Sequence, residues 1–517
     1  RGASVRFHRI GRLRPWLLIL LLALVIRLPG LLTKPLWYDE AFAVLFSSKG
    51  PSQMLYGTLE VEGGVAADVH PLLYYSLLWL WGKAVGTSPL AVRSLSLLIG
   101  LGVVMLGYGL ARMLFGTRAA MVSGVVLALS PFQVHYAQEV RMYGLLALLL
   151  LGATLVFWRA IRSRSWWPWL LFALLSGLAL YTHNLAALYL LALGLTPLLL
   201  RKWKALLQTA ISGLAAGLLY LPWLMRLPSQ LARIDRAYWI AAPGPQDLVQ
   251  TLLVYVGWLP VPDWSPSWAP EWLQPLLLLL LLCVVMVLVA AVWATMRAWR
   301  SGAKGARRAL WLAYLGGAPV ILMLLVSFWR PVYLNRAMLP AGVAFALWVG
   351  WALEGRWLGD LLKWTGRAAL VVALALGLFS YHTYRGFPYA PFEELDEHLA
   401  RETMPGDVIL HSNKLTAISA VYYEPGLDHK YLADPPFSGS DTLAPATQEV
   451  LELPASPDPQ AAVGDSERVY FIIFEREPAE YRALGYAEHP HLQWLERNYP
   501  SVEQSQWGEL LLFVFAK

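Results

Sequence analysis

Two carboxylates stand side by side in Trp37-Tyr38-Asp39-Glu40, where the first apolar run of the chain ends. Acids are scarce around them: residues 1–384 hold twelve Asp and Glu, against 22 of the 34 in the remaining tail. Desolvating an ionised group beside hydrocarbon is costly, so carboxylates kept at such a border point to a site. A second cluster, His135 to Tyr143, sets Glu139 and Arg141 among aromatic residues. Together these residue types suit activation of a hydroxyl: one carboxylate takes the proton while a cation offsets charge on a phosphate leaving group. Asp39, Glu139 and His70 also offer ligands for a hard cation, so a divalent ion (Mg, Mn or Zn) is a candidate cofactor held by these three.

Each residue also has a plainer use. Asp39 and Glu40 suit the first turn of a helix over Ala41–Lys49. His70 could cap a following helix, and Glu139 could pair with Arg141 across its turn. Arg93, Arg141, Arg330 and Arg336 could be anchors snorkelling to lipid phosphate. Glu60, Glu62 and Asp68 read as solvated loop charge. Trp37, Trp258 and Trp264 lie in loops where an indole can stack on a pyranose face.

The elements that must carry these residues are membrane helices. With 57% hydrophobic residues, 15% charged residues and a mean hydropathy of +0.50, the chain has more apolar surface than a soluble core hides. The first apolar run follows a basic start but has no small-residue cleavage site, and reads as a retained anchor. Crossings are expected at 15–32, 88–112, 118–134, 142–160, 166–182, 184–200, 205–222, 273–295, 307–327, 337–353 and 368–384. Eleven crossings put the N-terminus inside and the C-terminus outside. Of the 32 Lys and Arg before position 385, 21 then fall on the inner side, as short cytoplasmic loops require. The same parity makes His70–Val85 an interfacial helix inside a long outer loop, 33–87, and Leu248–Leu259 a second such segment within 223–272. Residues 385–517 carry 22 acids, nine bases and no span. Apolar runs at 407–410, 469–474 and 510–515 read as strands, 391–403 and 477–484 as helices, and 435–465 as a flexible loop, giving an extracytoplasmic α/β domain. The division is thus 1–384, transmembrane and catalytic, and 385–517, soluble. The single Cys283 excludes an intrachain disulfide, and positive-inside loops account for a pI of about 9.3 without nucleic acid.

Several segments also carry a family resemblance: Leu36 to Ala41, His70 to Tyr75, Leu114 to Ala119, Ser130-Pro131-Phe132, Tyr136 to Tyr143, and Tyr333-Leu334-Asn335-Arg336. Over residues 15–350, in order, the chain resembles the GT-C glycosyltransferases, closest to the bacterial branch related to protein O-mannosyltransferases and the lipid A aminoarabinose transferase. The resemblance implies a cell-membrane, multi-pass enzyme that moves a sugar from a polyprenyl-phosphate donor to a protein, lipid or glycan acceptor outside the cytoplasm, usually with inversion. Membrane lipids would be its other partners. It implies Asp39 as general base, Glu40 as the second member of an acidic pair, and Glu139 as the acid of the second outer loop. Arg141, Tyr143, Tyr333, Arg336, His70 and Trp37 would contact substrate. Two departures stand out: Ala337-Met338 follow Arg336 where the family has Tyr-Leu, and Pro71-Leu72 replaces a doubled proline. A transporter or flippase would place ionisable groups at mid-depth and show inverted repeats, and a scaffold would need no acidic pair.

Overall fold

The computed structural model describes residues 14–62, 65–236, 240, 242–257, 273–435 and 442–517. Four of the five N-terminal arginines, Trp258 and Trp264 lie outside the described residues. Through residue 384 the described residues are mostly helical: α1 (Pro15–Thr33), α2 (Tyr38–Ser48), α3 (Pro51–Leu59), a small hairpin of β1 (Val61–Glu62) and β2 (Val65–Ala66), then α4 (Leu73–Val85) and α5 (Pro89–Phe115). There follow α6 (Thr117–Leu129), α7 (Pro131–Tyr136), α8 (Tyr143–Ala160), α9 (Trp167–Leu180), α10 (Ala186–Leu199), α11 (Trp203–Leu224), α12 (Leu227–Arg236) and α13 (Pro245–Val256). Last come α14 (Leu273–Arg300), α15 (Lys304–Ser327), a 3-10 turn at Asn335–Met338, α16 (Leu339–Leu353) and α17 (Asp360–Thr383).

Among the described residues seven helices are long and apolar enough to cross a membrane, and α1, α6, α9 and α10 are shorter apolar helices at four further expected crossings. The expected span 118–134 is broken, because Ser130 leaves helical geometry and caps α7, whose first residue is Pro131. As expected, the segments after His70 and Leu248 form short helices, α4 and α13, outside the set of candidate spans.

Every residue of α16 is buried. Its composition explains this: Ala341, Gly342, Ala344, Ala346 and Gly350 let neighbouring helices approach closely, which in lipid, where apolar transfer gains little, is the main source of helix association. Conversely, large residues such as Leu214, Leu278, Leu282 and Phe379 are exposed, as suits surfaces facing acyl chains.

Residues 385–517 add a six-stranded sheet of order β5-β4-β3-β6-β8-β7, made of β3 (Val408–His411), β4 (His429–Leu432), β5 (Ala455–Ser456), β6 (Arg468–Phe474), β7 (Ser501–Trp507) and β8 (Leu510–Ala516). The first four strands in that order are parallel; β8 runs antiparallel to β6, and the edge strand β7 runs antiparallel to β8. The run Val469 to Phe474 is continuously apolar because both faces are covered: Val469, Phe471 and Ile473 enter one core cluster, Tyr470, Ile472 and Phe474 another. Helices α18 (Phe392–Glu402), α19 (Lys414–Tyr423), α20 (Pro445–Leu451), α21 (Pro459–Val463), α22 (Glu477–Ala483) and α23 (Pro490–Asn498) complete the region. The expected loop at 435–465 is corrected by α20, β5 and α21, which Pro445, Pro459 and the Asp458 cap initiate. Strands β4 and β7 and helices α19 and α23 are not among the elements expected from the sequence; β7 is a polar edge strand exposed almost throughout.

This region rests on the first loop. Lys49 pairs with Glu452 at 2.8 Å, Tyr56 donates to Glu449 at 2.7 Å, and Thr447 donates to the Gly57 carbonyl at 3.1 Å. Buried Ala417, Ile418 and Val450 belong to the same core as Ala41, Phe42 and Phe46 of α2.

Candidate active site

Asp39 and Glu40 occupy the first turn of α2, after extended Trp37, where the helix dipole favours acids. Their fates then separate. Glu40 is 1% exposed and gripped by Arg93, whose Nε and Nη2 donate to its two oxygens at 3.0 and 2.6 Å. The same guanidinium donates to the carbonyls of Lys34 and Pro35, and the Val140 backbone N–H donates to Glu40 at 3.0 Å. Glu40 is therefore a clip that ties together the end of α1, α2, α5 and the 137–142 loop. Arg93, 2% exposed, is its partner and not a lipid anchor.

Asp39 retains 15% side-chain exposure and faces two cations: Arg336 Nη1 at 3.3 Å and Arg141 Nε at 3.6 Å. Arg141 does not pair with Glu139 through its side chain; only its backbone N–H meets the Glu139 carbonyl, at 2.8 Å. Arg336 also lies over the ring of fully buried Tyr143, 5.3 Å from its centroid. A carboxylate, two largely buried guanidinium groups and an aromatic wall thus converge from α2, the 137–142 loop, α8 and the turn before α16. That loop can lie so close because Gly30 and Gly100 carry no side chain: a Cβ on Gly30 would overlap Gln138, and one on Gly100 would overlap Ala137. Buried Arg27 caps the end of α6 through the carbonyls of Leu127 and Ala128, and the Gln138 amide donates to the Arg27 carbonyl.

Beside Glu40 and Glu139 is a small cavity whose walls also include Lys34, Arg93, Tyr381 and Tyr389. Lys34 Nζ has no hydrogen-bond partner among the described residues and sits over the rings of Tyr381 and Tyr389, 3.6 and 4.8 Å from their centroids. Burial, then the Arg385 and Arg93 charges, lowers the Lys34 pKa from 10.5 to about 7. Burial, then the charge of Glu40, raises that of Glu139 from 4.5 to about 8. Near it, His135 Nε2 is 3.7 Å from Glu139 Oε2, and burial, then the charge of Lys34, holds the imidazole down to about 3. A neutral imidazole beside a protonated carboxyl makes no ion pair.

These shifts set a pH dependence. The folded chain holds a proton on Glu139 that the unfolded chain releases between about pH 4.5 and 8, so this group's contribution to stability falls as pH rises through that window. Lys34 acts in the opposite sense, its contribution rising between about pH 7 and 10.5. Glu139→Gln is expected to flatten the fall of thermal midpoint between pH 5 and 8; an unchanged slope in melting curves across that range excludes Glu139 as its source.

The expected metal set does not assemble. His70 Nδ1 is 2.9 Å from Asp68, its ring is 6.0 Å from that of His183, and Asp39 is taken up by two arginines. Among the described residues no group of three His, Cys, Asp or Glu side chains is placed to hold an ion. Tyr333 turns to α13, its hydroxyl 2.7 Å from Thr251 Oγ1. Trp37 precedes α2 with its indole N–H buried and, among the described residues, without a partner. The sequence reading did not single out Lys34 or Tyr381. Lys34 closes the first apolar run and looks like an ordinary flanking base; only the proximity of Asp39 hints at it.

The family described as dolichyl-phosphate-mannose-protein mannosyltransferases has a sequence model that matches residues 69–226. No curated protein matches the chain by sequence. Among solved structures, ArnT from Cupriavidus metallidurans bound to undecaprenyl phosphate is 14% identical with a TM-score of 0.57, the alignment covering 96% of this chain and 97% of that one. The oligosaccharyltransferase AglB from Archaeoglobus fulgidus, in complex with an inhibitory peptide and a dolichol-phosphate, is 13% identical with a TM-score of 0.53, covering 97% and 74%. An oligosaccharyltransferase from the same organism in complex with Zn and sulfate is 12% identical with a TM-score of 0.50, covering 95% and 72%.

Proposed function

We propose that this chain, an integral membrane protein with the GT-C glycosyltransferase fold, transfers a sugar from a polyprenyl-phosphate donor to an acceptor hydroxyl on the extracytoplasmic face. The fold, the family match over 69–226 and the polyprenyl phosphates bound in ArnT and AglB support the general reaction. The observation that carries the rest is Asp39, a partly exposed carboxylate beside two largely buried guanidinium groups.

That arrangement holds one more positive charge than negative. A phosphodiester donor brings one negative charge, and the departing polyprenyl phosphate gains more as the glycosidic bond breaks. Arg336 and Arg141 therefore bind the leaving group more strongly in the transition state than in the ground state, the condition for acceleration. The acceptor oxygen attacks the anomeric carbon as the carbon–phosphate-oxygen bond breaks; the bonding pair stays on phosphate and the acceptor proton passes to Asp39. Glu40 is committed to Arg93, which leaves Asp39 to act as the base and favours single displacement with inversion. Glu139, neutral at pH 7, adds no negative charge against the phosphate. The positive-inside pattern supports placing Asp39 and residues 385–517 outside the cytoplasm.

The test is sugar transfer in proteoliposomes, with a panel of undecaprenyl-phosphate sugars and with protein, lipid and glycan acceptors. Arg336→Ala is expected to raise the donor KM about tenfold or more, the scale of one lost charged hydrogen bond. An Arg336→Ala variant with both donor KM and kcat at wild-type values would remove this residue from the phosphate site.

A further inference from the structure

The connector between α1 and α2, residues 34–37, is what places Asp39, and its backbone groups are held from two sides. From α5, Arg93 takes the carbonyls of Lys34 and Pro35 at 2.5 and 3.0 Å. Pro35 has no N–H, so the next donor is the amide of Leu36, a residue 0% exposed. That amide does not bond within the membrane region: it donates to the hydroxyl oxygen of Tyr423, 2.7 Å away and 387 positions along the chain. Tyr423 is the last residue of α19. At the other end of that helix Lys414, 6% exposed, holds its Nζ 5.9 Å from the ring centroid of Tyr38, the neighbour of Asp39. Between them, Ala417 and Ile418 are fully buried in the core that contains Ala41 and Phe42. One face of α19 therefore runs along the catalytic segment from Leu36 to Phe42.

We propose that residues 385–517 have a positioning function in the transfer reaction, exerted through α19, with the Tyr423 hydroxyl holding the Leu36 amide and thereby fixing where Asp39 meets the acceptor. A buried amide left without its acceptor loses about one hydrogen bond's worth of stability or moves to find water. Movement at Leu36 is transmitted to Asp39 across two residues, because Arg93 fixes the chain just before Leu36 and α2 begins just after it. Tyr423 touches neither donor nor acceptor in this arrangement and is a positioning residue. The inference rests on the role of Asp39 given above.

The test uses the full-length protein in lipid nanodiscs, with Tyr423→Phe, which keeps the ring and removes the oxygen, and Glu452→Ala as a control that removes an exposed contact of the same region with Lys49. Two quantities are read: deuterium exchange at the Leu36 amide, and kcat and KM for transfer. The expected result is loss of protection at Leu36 with β3 and β6 still protected, together with a fall in kcat of about 10- to 100-fold at nearly constant donor KM; Glu452→Ala should match the wild type in both. Wild-type exchange at Leu36 or wild-type kcat in Tyr423→Phe overturns the proposal. So does loss of protection across β3 and β6, since the hydroxyl would then serve folding alone. A wild-type protein that transfers no sugar defeats the functional reading instead, and leaves the exchange measurement to judge the contact.

Discussion

Asp39→Asn is expected to lower kcat for sugar transfer by about 10²- to 10⁴-fold, the usual contribution of a general base. The side chain keeps its shape, so α2 should remain in place and the protein should insert normally. Donor binding should be equal or tighter, because Arg141 and Arg336 lose the carboxylate that they share and are left for the phosphate. This pairing of lost turnover with preserved or improved binding separates a base from a structural first-turn acid, which would lower stability and leave turnover per folded molecule intact. Undecaprenyl phosphate titrated against both proteins, alongside single-turnover transfer, reads the two quantities. Near-normal turnover removes Asp39 as the base.

Arg93→Met is expected to cost about 3–5 kcal/mol, the usual result of stranding one partner of a buried ion pair. The Glu40 carboxylate would remain buried with only the Val140 amide among the partners described above, and the carbonyls of Lys34 and Pro35 would lose their donor. The consequence is both a lower thermal midpoint in detergent and a displaced Asp39. Arg93→Met with Glu40→Gln removes the stranded charge and should recover part of the midpoint but not the activity, since the clip is still missing. Equal midpoints for the single variant and the wild type would mean that Glu40 finds compensation that its 1% exposure does not suggest.

The scarcity of acids before residue 385 made Asp39, Glu40 and Glu139 visible without coordinates, and periodic apolar length made the helices visible. What the linear chain hides is which acid works and which holds. Glu40 and Arg93 are 53 positions apart, and nothing at either position encodes that they meet. Adjacent residues on a helix point about 100° apart, so Asp39 turns to the cleft while Glu40 turns to α5; that division needs the direction of α2, set by tertiary contacts. Tyr423 was illegible for the same reason, its partner being a backbone amide far away in sequence. The strands of the tail were readable where both faces are apolar, as in β6, and unreadable in β7, whose side chains are polar on both faces and whose place is set by pairing with β8 alone. The metal expectation failed to gather support because residue type says what could ligate, whereas His70 is already taken by Asp68.

The complete enclosure of α16 bears on how the molecule is made. A helix with no lipid-facing side cannot settle at the edge of an unfinished bundle as α9 or α11 can; it needs α6, α8, α14 and α15 around it. These four are synthesised before it and its neighbour α17 after it, so the bundle has to stay open on one flank during biogenesis until ribosomal synthesis has passed residue 353. Insertion defects from bulky substitutions on α16, Gly350→Leu for instance, should therefore surface as late assembly failures subject to quality-control proteolysis, and not as failure of the early helices to enter the bilayer.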